Sequence, residues 1–263
     1  MLPKAATVLL LRQDGEEDGF EIFMVKRPTE AAGFSGALVF PGGRLDDADA
    51  RLDALAARCC RPEGVGDDDM THRICAIRET FEEAGILLAR PRGSDALVSG
   101  EQAHAIARTY RKRLHAGDIG IGEIAEVEDL ILACDHLTPF AHWITPKGRP
   151  RRFDTWFYLA PAPQDQIAAH DDVELVDSTW ASPARAIAEA DAGLWRLVFV
   201  TRMNLLKLAE ARSIDEAIAG ARASEIAAIE PTIEPVEGGA IFRILPNTGY
   251  SLLERFEPAA RNE

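Results

Sequence analysis

The chain has 263 residues, of which 47% are hydrophobic and 27% are charged. This composition is typical of a globular protein, and the length suits one large domain or two small ones with a substantial core. The formal net charge is -14, so the electric field of the whole molecule repels phosphate groups and argues against a nucleic-acid partner. An anionic ligand would therefore need a local cluster of basic residues.

The cysteines and histidines do not have the spacing of a metal site. No two of the four cysteines form a C-x-x-C pair, and the six histidines are scattered without an H-E-x-x-H pattern. We interpret Cys59, Cys60, Cys75 and Cys134 as reduced thiols of a cytoplasmic protein. No apolar run approaches the ~20 residues of a membrane-spanning helix, so no membrane partner is expected.

The N-terminal part of the chain alternates apolar runs with turn residues. The predicted elements are strands at 4–12, 20–27 and 36–44 and helices at 50–62 and about 72–89. The polar linker QDGEEDG between the first two strands predicts a hairpin, and a Pro-Gly-Gly turn ends the third strand. Asp69 or Thr71 is the expected N-cap of the second helix.

The rest of the chain continues the mixture of helices and strands. In chain order we predict two helices within 100–133, a loop at 143–150, a strand at 151–160, a short strand within 171–183, a helix after Pro183, a long helix at about 194–211, and a short helix and a GAIFRIL strand in the tail from 213. No repeat, low-complexity segment or interdomain linker interrupts this order. One α/β domain with helical insertions is the fold class that fits it best.

The helix predicted at 72–89 carries an unusual set of charges. On a helical wheel Ile74, Ile77, Phe81, Ala84 and Leu88 lie on one side, and three glutamates, Glu79, Glu82 and Glu83, lie together on the opposite side. A solvated acidic face is the ordinary interpretation of this pattern. However, carboxylates three and four residues apart repel one another by a few tenths of a kcal/mol. A divalent cation such as Mg²⁺ or Mn²⁺ would reverse that repulsion, so a metal site is the alternative.

The residues around these glutamates resemble a known motif. RETFEEAGI, residues 78–86, is similar to the second half of the Nudix box, G-x5-E-x7-R-E-U-x-E-E-x-G-U, with Thr80 at an apolar U position. FPGG at 40–43 resembles the turn that opens this box. If Gly43 is its first glycine, Asp49 stands where the family has Glu, and residues 50–77 then separate Asp49 from Arg78. These are 28 residues where the family has seven, an insertion of 21.

A particular branch of the Nudix family also has an interrupted box. The peroxisomal coenzyme A diphosphatase branch resembles this chain in that interruption, in W-x-T-P at 143–146 and in RRFDT at 151–155. The resemblance implies an α/β/α sandwich with a mixed sheet and helical insertions. It implies a Nudix domain at 1–212, with insertions at about 50–70 and 100–133 that shape the pocket or a dimer interface. Residues 213–263 would be a C-terminal extension packed on the same domain, and a homodimer is expected.

The resemblance also implies the catalytic residues. Nudix enzymes hydrolyse a nucleoside diphosphate linked to another group, and a divalent metal activates water and neutralises charge on the phosphate oxygens. Glu79, Glu82 and Glu83 would hold Mg²⁺ or Mn²⁺, and one of them or a later acid would act as general base. Arg78 would orient a helix carboxylate, with a surface arginine as the alternative. Glu174 is the candidate later acid, and a solvated glutamate at a strand end is an equally good interpretation of it.

Substrate binding is expected from glycines and from basic residues. Gly42 and Gly43, followed by Arg44, would let the backbone approach the metal or phosphate, although they also suit a plain tight turn. The segment KGRPRR, 147–152, is the strongest anion-attracting segment of this acidic chain. The basic residues predicted to bind substrate are Lys26, Arg27, Lys147, Arg149, Arg151 and Arg152. A solvated basic loop is the alternative interpretation of 147–152.

Three functions follow from these residues. The first is hydrolysis of coenzyme A or acyl-coenzyme A to 3',5'-ADP and phosphopantetheine. The second is a pyrophosphatase for ADP-ribose, a dinucleotide or another small nucleoside diphosphate compound. It is kept open because a coenzyme A signature of another Nudix branch has arginines where this chain has Lys26 and Ala32. The third, a non-catalytic ligand-binding domain, is less favoured because all three glutamates are present.

Overall fold

The structure, a computed structural model, describes residues 2–14, 19–27, 36–166 and 177–258. The strands in these ranges are β1 Lys4–Gln13, β2 Phe20–Lys26, β3 Leu38–Val39, β4 Gly42–Arg44, β5 Ala89–Pro91, β6 Leu130–Leu132, β7 Thr138–Ile144, β8 Asp154–Pro161, β9 Asp177–Ala181, β10 Ala228–Ile229, β11 Thr232–Val236, β12 Gly239–Arg243 and β13 Glu254–Pro258. The α-helices are α1 Leu52–Leu55, α2 Asp67–Ala84, α3 Gly100–His115, α4 Ile121–Val127, α5 Pro183–Asp191, α6 Phe199–Leu208 and α7 Ile214–Ala223.

A mixed sheet forms the centre of the protein. Its strand order is β10-β7-β8-β1-β2-β3, with β4 also paired to β1 and β9 to β2. Strands β1 and β2 form the predicted antiparallel hairpin, whereas β1 and β8 are parallel. Helices lie on both faces of this sheet, which confirms the predicted α/β sandwich with a mixed sheet.

Strand β1 lies at the centre because both of its faces are apolar. Val8 and Leu10 face a core shared with α2, α3 and α4, and Leu9 and Leu11 face a second core shared with α5, α6 and α7. All four side chains are fully buried. A strand buried on both faces is expected to be a continuous apolar run, as VLLL is here.

Several predicted elements are shorter in the structure because turns and tertiary contacts interrupt them. The strand predicted at 36–44 is divided into β3, which pairs with β2, and β4, which pairs with β1. The helix predicted at 50–62 is a single turn, α1, followed by a 3₁₀ turn at Ala56–Arg58. The loop predicted at 143–150 begins later, because Trp143 and Ile144 are the last residues of β7.

The C-terminal segment packs against the sheet through α7 and a small separate sheet, β11-β12-β13. Phe242 of β12 belongs to the same core as Leu9 of β1. The Trp143 indole N–H donates to the Tyr250 hydroxyl oxygen at 2.9 Å, and that hydroxyl donates to the Asn204 side-chain oxygen at 2.6 Å. The boundary predicted after residue 212 stays a prediction. Among the described residues, no helix has both the length and the apolar character needed to cross a bilayer.

Candidate active site

The helix that carries the three glutamates is α2, and its ends differ from the prediction. It begins at Asp67 and ends at Ala84, so the bounds 72 and 89 were wrong. The N-cap is Gly66 instead of Asp69 or Thr71, and three aspartates occupy the first turn, where the positive end of the helix dipole favours them. Gly85 ends the helix in a left-handed conformation, with φ of 70°.

The apolar side of α2 lies in the core as predicted, but the acidic side does not face solvent. Each of Glu79, Glu82 and Glu83 is only 9% exposed. The wheel treats the helix as isolated, whereas β4 and the chain that follows it cover this side. The interpretation as a solvated acidic face is therefore wrong. Three buried carboxylates need compensating partners, because burial of an uncompensated charge is costly.

The first partner joins the two halves of the interrupted box. Arg78 Nε lies 3.0 Å from Asp49 Oδ1, and Arg78 Nη2 lies 3.0 Å from Asp49 Oδ2. Asp49 is fully buried, and Arg78 is 4% exposed. This paired geometry is the strongest form of an arginine–carboxylate interaction. Asp49 and Arg78 thus meet in space although 28 residues separate them in sequence.

Arg78 also reaches two of the glutamates. Its Nη1 donates to Glu79 Oε1 at 2.8 Å and to Glu82 Oε1 at 3.2 Å, and its Nη2 donates to the Arg44 carbonyl at 2.7 Å. One guanidinium therefore orients the carboxylates of Glu79, Glu82 and Asp49 at the same time. This is the orienting role predicted for Arg78, and the surface-arginine alternative does not fit a buried side chain.

The third glutamate is held by the glycine turn. The Gly42 N–H donates to Glu83 Oε2 at 2.8 Å. The backbone at Gly43 lies so close to Glu79 that a Cβ built on Gly43 would be 2.4 Å from Glu79 Oε1. Gly42 and Gly43 therefore lie directly against the carboxylates. The Arg44 side chain is exposed, and its contribution to the cluster is its backbone carbonyl.

Burial makes the carboxyl groups of Glu79 and Glu82 less acidic than usual. It raises the pKa of Glu79 to about 7, although Arg78 opposes the shift, and the neighbouring Glu82 adds to it. Burial likewise raises the pKa of Glu82, again with Arg78 in opposition. Arg78 itself loses solvation, yet the carboxylates of Glu79 and Asp49 raise its pKa overall. The cluster thus contains more negative charge than one arginine offsets.

The donor set of this cluster suits a hard divalent cation. Carboxylate oxygens are the ligands that Mg²⁺ and Mn²⁺ prefer, and here the carboxylates of Asp49, Glu79 and Glu82 share the single guanidinium of Arg78. In the parts of the chain that the structure describes, no three His, Cys, Asp or Glu side chains converge as a metal-binding group. The hydrogen bonds explain this, because Glu79 and Glu82 turn towards Arg78 while Glu83 turns towards Gly42.

For the basic residues predicted to bind substrate, the described contacts are with residues other than the three glutamates. Arg149 lies over the Phe242 ring at 5.3 Å, and Arg152 pairs with Glu230 at 2.6 Å, so these contacts lead to the C-terminal segment. Lys147 and Arg151 are exposed on the same loop. Lys26 ends β2 opposite Leu38 and Asp177, and Arg27 follows it. A role of these residues in substrate binding stays a prediction, and Glu174 lies outside the described residues.

A recess of about 200 Å³ opens beside Arg78. The segment after β4 and the turn between α3 and α4 form its walls, and its charged lining residues are Asp46, Arg51, Arg78, Asp118 and Glu123. The second predicted insertion, 100–133, therefore reaches the immediate surroundings of the glutamates. The predicted roles of the insertions, in shaping a pocket or a dimer interface, stay predictions.

Sequence reasoning missed one residue of the site. Arg111 of α3 donates from Nε to the Glu82 carbonyl at 2.6 Å and from Nη2 to the Glu83 carbonyl at 2.7 Å. It lies 28 residues after Glu83 on a different helix, and its neighbours match no part of the Nudix box. Only the tertiary packing of α3 against α2 identifies this contact.

Comparison with known proteins identifies similar chains and a similar structure. A family model described as the NUDT19 Nudix domain matches residues 56–195. Proteins named acyl-coenzyme A diphosphatase NUDT19 from Homo sapiens and Gallus gallus are 29% and 31% identical to it, and each alignment covers 64% of this chain. The chain spans only 55% of the length of each of these relatives. A crystal structure of a Nudix hydrolase from Alicyclobacillus acidocaldarius is similar with a TM-score of 0.64 and 25% identity, covering 83% of this chain and 96% of that one.

Proposed function

This chain belongs to the NUDT19 Nudix domain family, and from that premise we propose that it is a Nudix pyrophosphohydrolase acting on coenzyme A or acyl-coenzyme A. Water would add across the diphosphate, so that one P–O bond of the anhydride breaks. The products would be 3',5'-ADP and phosphopantetheine, or acyl-phosphopantetheine. The proposed cofactor is Mg²⁺ or Mn²⁺.

The contact between Asp49 and Arg78 is the observation that carries this proposal. The insertion would have destroyed the motif if the two halves of the box had separated in space. Instead, Arg78 bonds Asp49 from the first half and Glu79 and Glu82 from the second. A buried ionic cluster of this size costs desolvation energy that a purely structural role does not require. Its retention supports a chemical role for the carboxylates.

The side chains would divide the work of hydrolysis between them. Glu79, Glu82 and Glu83 would hold the metal, which when bound activates water and neutralises charge on the diphosphate oxygens. Arg78 would keep the carboxylates oriented while Asp49 fixes its guanidinium. One of the three glutamates, or a later acid such as Glu174, would take the proton from the attacking water.

The choice of coenzyme A rests on the relatives and on charge. Two similar proteins are named acyl-coenzyme A diphosphatases. Coenzyme A carries a 3'-phosphate in addition to its diphosphate, so its recognition needs several cations besides the metal. Within a chain of net charge -14, the loop at 147–152 supplies four basic residues.

A substrate panel tests the proposal. The purified protein would be incubated with Mg²⁺ or Mn²⁺ and coenzyme A, acetyl-coenzyme A, ADP-ribose, NADH and diadenosine polyphosphates, with products identified by mass spectrometry. The Glu83→Gln variant is the control, because it keeps the size of the side chain and loses its charge. Fastest formation of 3',5'-ADP, absent in the variant, would support the proposal. Faster cleavage of ADP-ribose or a dinucleotide would reject coenzyme A as the preferred substrate. No turnover of any compound would reject the proposal that the protein is a pyrophosphohydrolase.

A further inference from the structure

We infer that Arg111 is a positioning residue that holds the last turn of α2, and with it the metal-binding side chains of Glu82 and Glu83. This inference rests on the proposed function. Arg111 comes from α3, in the second predicted insertion, and its guanidinium adds two hydrogen bonds to the apolar packing of that insertion against α2. The insertion would then serve the reaction directly in addition to lining a recess.

Arg111 contacts the backbone of Glu82 and Glu83, two of the three proposed metal ligands. The Glu82 carbonyl accepts from Arg111 Nε at 2.6 Å, and the Glu83 carbonyl accepts from Nη2 at 2.7 Å. The guanidinium also lies beside Gly85, where an added Cβ would be 3.3 Å from Nη1. Arg111 therefore grips two successive peptide groups and fixes the direction in which both side chains leave the helix.

The end of α2 needs this partner. The last four carbonyls of a helix have no partner within it, and they form the negative end of the helix dipole. The Gly85 N–H satisfies only the Phe81 carbonyl. No basic residue lies in the last turn of α2, which instead carries Glu82 and Glu83. Arg111 supplies both the missing donors and the missing positive charge from another helix.

Glu82 and Glu83 are each held at two points, at the backbone carbonyl by Arg111 and at the carboxylate by another residue. Glu83 is held at its backbone by Arg111 and at its carboxylate by the Gly42 N–H. Glu82 is held at its backbone by Arg111 and at its carboxylate by Arg78. Without Arg111 each side chain would keep one of its two anchors, and the last turn could fray. Residues that orient metal ligands typically contribute ten- to a hundredfold to metal affinity or activity.

Three variants test the inference. Arg111→Ala removes both donors, Arg111→Lys keeps the charge with a single ammonium in place of the planar fork, and Arg108→Ala is the matched control at an exposed arginine of the same helix. For each, kcat, KM, the metal concentration for half-maximal activity and the melting temperature would be measured. Mn²⁺ affinity would be measured separately by electron paramagnetic resonance without substrate.

We expect Arg111→Ala to weaken Mn²⁺ binding and lower kcat by about ten- to a hundredfold, with KM for coenzyme A changed much less. Arg111→Lys should recover part of both losses, and Arg108→Ala should match the wild type. If Arg111→Ala does not fold, the Lys variant still carries the test. Mn²⁺ affinity and kcat within twofold of wild type in folded Arg111 variants would overturn the inference. A wild type that binds Mn²⁺ but hydrolyses none of the panel would overturn the proposed function alone, because the affinity measurement still reports on Arg111.

Discussion

Substitution of Gly43 by alanine tests how closely the glycine turn must approach the carboxylates. The added Cβ would lie 2.4 Å from Glu79 Oε1, 2.6 Å from its Cδ and 2.7 Å from Oε2. Ordinary contact needs about 3.4 Å or more, so the Glu79 carboxylate would have to move by about 1 Å. Arg78, which donates to that carboxylate, would resist the movement.

We expect a large effect on turnover, because the rate depends on the exact position of the Glu79 carboxylate. A displacement of about 1 Å in a reacting group can lower a rate by about a hundredfold. Overpacking of a filled site also costs about 1–3 kcal/mol of folding stability. We therefore expect Gly43→Ala to fold with reduced stability and to lose about two orders of magnitude in kcat.

The assay compares Gly43→Ala with a second glycine variant. Gly220 lies within α7, and a Cβ there would meet nothing within 4 Å. Gly220→Ala should leave kcat unchanged and add about 0.5–1 kcal/mol of stability, because alanine is the better helix former. Coenzyme A hydrolysis, Mn²⁺ affinity and urea unfolding would be measured for both. Wild-type kcat and Mn²⁺ affinity in a folded Gly43→Ala protein would refute the close approach described for Glu79.

Three further predictions concern the charges and the assembly. Asp49→Asn should lower the free energy of unfolding by about 3 kcal/mol in urea, because it leaves the buried Arg78 without its paired carboxylate; an unchanged unfolding midpoint would contradict this. In EDTA the stability should fall as pH rises from about 4.5 to 7, since the folded state keeps a proton on Glu79 that the unfolded chain has lost; a shift of this size is worth about 3 kcal/mol. Urea unfolding across this range should show a smaller fall for Glu79→Gln, and equal slopes would count against the raised pKa. For the expected homodimer, light scattering should give twice the chain mass of 28.7 kDa, and a monomer mass at micromolar concentration would reject it.

Features set by local sequence were predicted well. The β1–β2 hairpin follows from two apolar runs around a polar turn, and α5 begins at Pro183, where the fixed φ of proline suits a first helical residue. The helix carrying the glutamates was also identified, although its ends were displaced. Such features depend on residues that are close in sequence, so they can be inferred from the sequence pattern.

Features set by distant contacts were not predicted. The hydrogen bonds that hold Glu82 and Glu83 come from Gly42 of β4, from Arg78 and from Arg111 of α3, and the contacts from β4 and α3 cannot be inferred from the periodicity of α2. The Ala- and Arg-rich segment at 50–62 favoured a helix by propensity. Instead it is held by tertiary bonds such as the Cys60 N–H to the Leu132 carbonyl. Asp49 was predicted in part. The resemblance to the Nudix box identified it as a residue of the motif, but its contact with Arg78 is seen only in the structure.

The interrupted box shows why this chain can accommodate additional residues between Asp49 and Arg78. Loop closure becomes only about 0.6 kcal/mol more costly with each doubling of loop length. The 28 residues between Asp49 and Arg78 replace seven, which is two doublings and about 1.2 kcal/mol by the same rule. This cost is small beside the roughly 5–15 kcal/mol by which a typical domain is stable. Additional residues at this point therefore cost the fold little, provided that Asp49 and Arg78 still meet.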